Sequence, residues 1–205
     1  NTTKNMSTKV SEDLWKVLVY ANRISYLSNG AFDVTIGRVT KLWRRARRRK
    51  EIPSEQRLAE ELEFVGFEKL ILNPADQSVM IRTPGLLIDL GAIGKGYAAD
   101  EAMRILEDLG ITRAVVNASG DVRFGAPPPD STGWPTGIGA LSAAGPPILL
   151  QSQSQGAVAT SGDAFQFLEI NGKRYSHILD PRSGMPVQVR SSVSVWAATG
   201  MAADA

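Results

Sequence analysis

Apolar residues fall at helical spacing soon after the chain begins. Leu14, Val17, Leu18, Ala21 and Ile24 share one face, which predicts an amphipathic helix. Ser11 stands at its N-cap, with Glu12 and Asp13 where negative charge meets exposed N–H groups. SNGAFD breaks the helix, and DVTIG reads as a short strand. A second helix starts after Pro53-Ser54, carries Leu58, Leu62 and Val65 on one face, and stops near Gly66. From Lys69 the period becomes two: KLILN, a PADQ turn, SVMIR and LLIDL read as short strands. After GAIGKG a third helix is expected, with Ala98, Ala102, Ile105, Leu106 and Leu109 facing inward and Gly110 ending it. AVVNAS is a strand, and APPPDSTGWPTG is a proline- and glycine-rich hinge loop. Beyond it PILLQS, AVATSG, FQFLEI, RYSHIL and SSVSVWAA all read as strands. Asn171-Gly172 predicts a type I′ hairpin, whose two central residues need positive φ. Strands in runs, without βαβ alternation, predict an α+β fold of mixed sheets with flanking helices.

Composition narrows this picture. The 205 residues are 43% apolar and 21% charged, as in an ordinary globular protein, and are enough for one large domain or two small ones. With no cysteine, thiol catalysis, thiolate metal sites and disulfides are excluded. No apolar run nears the roughly 18 residues that span a bilayer. The chain opens on Asn1 and ends in MAADA, which reads as a helix cut short, so a fragment trimmed at both ends is expected. The net charge is only +2, but RRARRRK, from Arg44 to Lys50, holds six basic residues in seven. That run is either a solvated face or a site for an acidic partner, a phosphate or a membrane surface. It has no interleaved aromatics, so a nucleic-acid partner is not expected.

Candidate chemistry concentrates in a few short stretches. LLIDLGAIGKGYAAD combines a strand, a glycine-rich turn and a helix start. Gly91, Gly94 and Gly96 would let the backbone approach an anion, and Lys95 adds a positive charge. It is neither a P-loop nor a GxGxxG dinucleotide turn, so it reads equally as a tight structural turn or a phosphate site. Asp89 either caps the following helix or accepts a hydrogen bond from a ligand. NASGD and ATSGD read as turns. His177 is the only histidine. It lies at a strand end among Ser176, Asp180, Arg182 and Ser183, where Asp180 could orient it or raise its pKa; this suits a general base as well as a structural residue. Asp204 would suit Mg²⁺ if a pyrophosphate lay beside it.

Taken together, SNGAFDVTIGRVTKLW, LLIDLGAIGKGYAAD, VNASGDVRFG, AVATSGDAFQF with YSHILDPRSGMPV, and VSVWAATGMAADA resemble the ApbE family of FAD:protein FMN transferases, in family order and over nearly the whole chain. The resemblance implies one ApbE-type domain over residues 1–205, with the two ends of the family domain missing. It implies binding of FAD and, with Mg²⁺, transfer of the FMN part to a threonine of an acceptor flavoprotein, forming a phosphoester as AMP leaves. Some relatives instead hydrolyse FAD to FMN and AMP; a flavin-binding protein without catalysis is the further alternative. Asp89, Gly94 and Lys95 match the FAD-contacting stretch, and Ala92 a metal ligand acting through its carbonyl. Asp204 matches the metal carboxylate. His177, with Asp180 nearby, matches the proposed base, Ile178 lies beside the flavin, and Leu42 and Trp43 align with a flavin-lining segment. The family's Thr or Ser metal ligand four residues beyond Asp204 falls outside this chain. Members act in the periplasm or on the outer face of the cytoplasmic membrane, often anchored through an N-terminal lipid. Membrane association through a missing N-terminus is therefore expected.

Overall fold

The Ser11 side chain accepts a hydrogen bond from Leu14 N at 3.3 Å, and the first helix begins there, as its capping sequence predicts. A computed structural model describes residues 7–138, 147, 149–164 and 166–205. In chain order the elements are β1 (Ser7–Lys9), α1 (Glu12–Leu27), α2 (Gly37–Arg49), α3 (Glu55–Leu62), a 3₁₀ turn (Phe67–Lys69), β2 (Leu70–Asn73) and β3 (Ser78–Ile81). They continue with α4 (Gly94–Asp108), β4 (Val115–Ala118), β5 (Asp121–Phe124), β6 (Trp134–Ile138), β7 (Leu149–Gln153), β8 (Gly156–Gly162), β9 (Phe167–Ile170), β10 (Lys173–Ser176), β11 (Ser192–Ala197) and α5 (Gly200–Asp204). The fold is α+β, and the chain divides into two compact units: residues 1–90 with 167–189, and residues 91–166 with 190–205. Among the described residues no helix is long and apolar enough to cross a membrane.

In the first unit, β1, β3 and β2 form an antiparallel sheet, and β9 and β10 form a hairpin. The hairpin turns at Asn171 and Gly172, with φ of 51° and 72°, the left-handed pair a type I′ turn requires. The core is built on α2. Its Val39, Trp43 and Ala46 pack with Leu168 of β9 and Tyr175 of β10, flanked by Leu58 and Leu62 of α3. Trp43 stacks on Tyr175 with centroids 5.7 Å apart, within the range in which offset aromatic pairs attract. Arg38 of α2 pairs with the buried Glu61 of α3 at 2.5 Å and lies over the Phe64 ring. Two predicted strands are absent here. DVTIG is a turn leading into α2, and LLIDL joins no named strand and forms one parallel bridge, Ile36 to Leu87. The backbone of both is instead committed to a close crossing. Gly37 N donates to Leu87 O at 3.1 Å, and a Cβ on Gly37 would come within 2.5 Å of that oxygen. The apolar residues of LLIDL thus serve a single connection, with Leu86 buried, and no ladder.

In the second unit, β11, β8, β5 and β4 form an antiparallel sheet in that order, and β6 pairs with β7. The predicted hinge loop is a strand from Trp134 onward, because β7 offers it a full register, Trp134 to Gln153 through Ile138 to Leu149. Thr160–Gly162 of ATSGD continue β8 and make no turn. Ile148 and Phe165, both within predicted strands, lie outside the described residues. The third predicted helix is α4, but its buried face is Gly96, Ala99 and Met103; Ala98, Ile105 and Leu109 are exposed. Size decides the face. A Cβ on Gly96 would come within 2.1 Å of Gly200 O, and one on Gly200 within 2.5 Å of Gly96 O, so α4 and α5 touch backbone to backbone through two glycines. A hydrophobicity pattern does not reveal a contact made by residues without side chains.

Candidate active site

Within the second unit the chain turns through residues 91–93 and enters α4 at Gly94. Ile93, the N-cap, has no side-chain capping bond, so the first N–H groups of α4 need other acceptors. One is Asp204, whose Oδ2 accepts from Gly96 N at 3.0 Å. Asp204 is held there by its own helix. Asp100 of α4 accepts from Gly200 N at 2.7 Å and Met201 N at 2.9 Å, Thr199 accepts from Ala202 N at 3.2 Å, and the glycine pair brings the helices into contact. Asp100 is fixed in turn by Arg123, whose Nε lies 3.0 Å from its Oδ1.

The Lys95 ammonium is hydrogen-bonded to Asp121 Oδ2 and lies 3.5 Å from Asp204 Oδ1. Both carboxylate side chains are 4% exposed, whereas Lys95 is 43% exposed. Burial pushes the Asp121 carboxyl up; the Lys95 hydrogen bond opposes this, and the nearby Asp204 charge adds to it. Burial alone would lower Lys95, but the Asp121 hydrogen bond and the two carboxylate charges outweigh it and hold the ammonium above its ordinary value. Asp121 is the residue sequence reasoning missed. NASGD is indeed a turn, with Ser119 and Gly120 at φ 56° and 102° and Gly120 N donating to Asn117 Oδ1 at 2.8 Å. That tight turn delivers Asp121 to the first position of β5, where its side chain is buried. An acid directly after a Ser-Gly hairpin turn was the available signal.

Two buried carboxylates of like charge facing one ammonium fit a hard divalent cation. Mg²⁺ is held through one or two carboxylates together with phosphate oxygens and water. Among the described residues no group of three or more Asp, Glu or His is arranged to hold a metal. Ala92 is exposed in the turn two residues before α4, and Gly94 is its half-buried first residue.

Within the first unit, Asp89 pairs with Arg44 of α2, Nη2 to Oδ2 at 3.1 Å, and its N–H donates to Val34 O at 2.8 Å. It is not the N-cap of α4, a position Ile93 occupies. Asp89 lines a groove of about 440 Å³ with Gly37, Lys41, Arg44, Arg48 and the backbone of residues 87–90. His177 is exposed immediately after β10. The segment after it folds back on itself: Ser176 N donates to Val187 O, Val187 N to Ile178 O, and Asp180 N to Met185 O. The Asp180 side chain is engaged by Arg182. Arg182 forks onto its two oxygens at 2.9 and 3.1 Å, and this hydrogen bonding holds the carboxyl below its ordinary value. Trp43 packs in the core cluster of the first unit. It is a core residue, 7% exposed, whose Nε1 donates to Gly184 O at 2.8 Å. It therefore supports the turn that follows His177. Leu42 is half-buried beside it, and Ile178 is half-buried with its N–H donating to Ser176 Oγ at 3.1 Å.

A model described as the ApbE family matches residues 1–205. The FAD:protein FMN transferase of Haemophilus influenzae is 31% identical over 211 residues, covering 100% of this chain and 61% of that protein. That of Escherichia coli is 30% identical over 202 residues, covering 96% and 58%. The crystal structure of the ApbE protein from Thermotoga maritima superposes with a TM-score of 0.89 at 33% identity, covering 98% of this chain and 65% of that one. The flavin transferase ApbE from Vibrio cholerae gives 0.85 at 30% identity, covering 99% and 65%. The chain thus spans about three fifths of the length of the curated relatives it matches.

Proposed function

This chain belongs to the ApbE family, and from that premise we propose that it serves an enzyme that moves the FMN part of FAD onto a threonine of an acceptor flavoprotein, with Mg²⁺ resident and AMP as the leaving group. The observation that carries this reading is the convergence of Asp121 and Asp204 on Lys95 at the start of α4. Asp204, with Asp121 beside it and the Ala92 carbonyl, would hold the cation. When bound, Mg²⁺ would neutralise charge on the diphosphate and on the departing AMP. Lys95 supplies a fixed positive charge for phosphate oxygens, and Gly94 lets the backbone come close. Asp89 is assigned a contact with FAD by the family resemblance. His177 takes the proton from the threonine hydroxyl as its oxygen attacks the phosphorus on the FMN side. The P–O bond to AMP breaks, and AMP departs with the bridging oxygen. A location in the periplasm or on the outer face of the cytoplasmic membrane goes with this reading and rests on the family resemblance.

The test is incubation with FAD, Mg²⁺ and a candidate acceptor. Mass spectrometry looks for an FMN adduct on threonine, and chromatography follows AMP. AMP formed only with acceptor supports transfer; AMP without acceptor means hydrolysis; intact FAD in both means a binding protein. His177→Ala should keep FAD binding and lose about 10² to 10⁴ in transfer rate, the usual worth of a positioned base. Transfer at the wild-type rate would remove His177 from the chemistry.

A further inference from the structure

One helix of the first unit carries far more charge than its fold requires. At 100° per residue, Arg44, Arg48, Lys41, Arg45 and Arg49 of α2 sweep an unbroken arc of about 140°, opposite the buried Val39, Trp43 and Ala46. All five are exposed, and Lys50 follows at the C-cap. Among the described residues only Arg44 of these six has an acidic partner, Asp89. A helix C-terminus favours cations in its last turn, which accounts for Arg48 and Arg49 but not for Lys41, Arg44 or Arg45. Lys41 and Arg45, Arg44 and Arg48, and Arg45 and Arg49 are each four apart, so these pairs repel. The helix has no acidic residue to relieve them.

We propose that this arc is a docking surface for an acidic polypeptide segment. On the flavin-transfer reading, on which this last identification rests, the segment belongs to the acceptor flavoprotein. Three observations favour a polypeptide over a lipid or a nucleic acid. The apolar side of α2 is packed into the core, so the helix has nothing to insert into a bilayer as an interfacial helix does. No aromatic residue lies on the arc to stack a base. The arc borders a groove of about 440 Å³, in which Arg44 already holds a carboxylate, that of Asp89. Four of the five arc cations are arginine, whose fork matches carboxylate geometry. A chain of glutamates or aspartates laid along the arc would meet the same chemistry at Arg48, Arg45 and Arg49.

The experiment measures anisotropy of a fluorescein-labelled decaglutamate peptide with the full chain. It compares wild type, Arg45→Glu/Arg49→Glu, Arg45→Gln/Arg49→Gln, and a control, Arg82→Glu/Lys173→Glu, that reverses two exposed cations elsewhere. FAD binding and circular dichroism check that each variant is folded. Wild type should bind with an affinity that falls steeply as salt rises. The arc reversal should weaken binding by about tenfold or more and the glutamine pair by less, with the control near wild type. Equal losses in the arc and control variants would mean net charge alone and would overturn the proposal. So would arc-dependent binding of phosphatidylserine vesicles or oligothymidylate with none of the peptide. None of these readings needs flavin transfer, so the docking surface and the proposed reaction fail separately.

Discussion

A methyl group on Gly96 would test how tightly α4 and α5 are pressed together. Its Cβ would sit 2.1 Å from Gly200 O, 2.4 Å from Gly200 C and 2.8 Å from Met201 N. All three are backbone atoms, so no rotamer relieves the clash. Ordinary contact begins near 3.4 Å, and α5 would have to retreat by about 1.3 Å to reach it. At an open helix position glycine to alanine stabilises by about 0.8–1 kcal/mol. Overpacking of this kind costs about 1–3 kcal/mol. The net expectation for Gly96→Ala is a loss of about 1 kcal/mol, or about 2–4 °C in Tm for a chain of this size. The chemical cost should be larger. Asp204 closes α5 and accepts from Gly96 N at 3.0 Å, so the retreat breaks that bond and carries the carboxylate away from Lys95. Misplacement of a reacting group by about an ångström costs about 10² in rate. Thermal unfolding by circular dichroism and a Mg²⁺ titration of flavin transfer, run side by side, read both effects. If Gly96→Ala is at least as stable as wild type and its Mg²⁺ titration is unchanged, the two helices do not meet as described.

Two further substitutions probe the supports of each unit. Trp43→Phe keeps the ring over Tyr175 but removes the donor to Gly184 O; a carbonyl left unsatisfied there costs about 1–3 kcal/mol. Amides of residues 180–187 should then exchange faster in deuterium, and unchanged exchange would deny Trp43 its supporting role. Lys95→Met leaves two buried carboxylates without their cation. Breaking a fully buried pair costs about 3–5 kcal/mol, and because Lys95 is 43% exposed the expected loss is nearer about 1–2 kcal/mol, partly restored by Mg²⁺. In wild type the raised Lys95 value means its contribution is complete below pH 10.5 and lost as pH climbs through that raised value. The raised Asp121 value works in the same sense at lower pH: its protonated form is favoured in the fold, so that contribution fades as pH rises from 3.8. A Lys95→Met melting profile matching wild type from neutral to alkaline pH, with or without Mg²⁺, would rule this out.

Much of the architecture was legible because local signals and tertiary packing agree. Ser11 and Ser54 cap helices where their sequence context says so, and Asn171-Gly172 makes the hairpin its backbone preference demands. Two of the misses share a cause: contacts made by backbone or by small residues leave no apolar period. Gly37 against Leu87 O turned two expected strands into one crossing, and Gly96 against Gly200 set the buried face of α4. The arginine-rich half of α2 hid a helix whose only apolar anchors are Val39, Leu42, Trp43 and Ala46. In the site, Lys95 and Asp204 stood out through the family resemblance. Asp121 passed as turn chemistry, because a turn residue and a buried counter-ion look identical in sequence.

Asp204 also shows how the fold and the site depend on one another. Its Oδ2 does work that a local cap would ordinarily do, satisfying Gly96 N on a helix whose own N-cap, Ile93, offers no side-chain acceptor. Its Oδ1 faces Lys95 at 3.5 Å, a long contact beside the tight Lys95–Asp121 hydrogen bond. One oxygen is thus spent on holding α5 to α4, and the other is weakly engaged by Lys95, with Asp121 also in hydrogen-bond contact with Asp204. In the proposed reaction the weakly engaged oxygen is the one available to a cation, while Lys95 stays anchored through Asp121. Had Ile93 been a serine or aspartate, α4 could have capped itself, and one of the ties between the Asp204 carboxylate and the helix start would be lost. A helix that borrows its cap from a distant carboxylate places that carboxylate where an anionic substrate would meet the helix N-terminus.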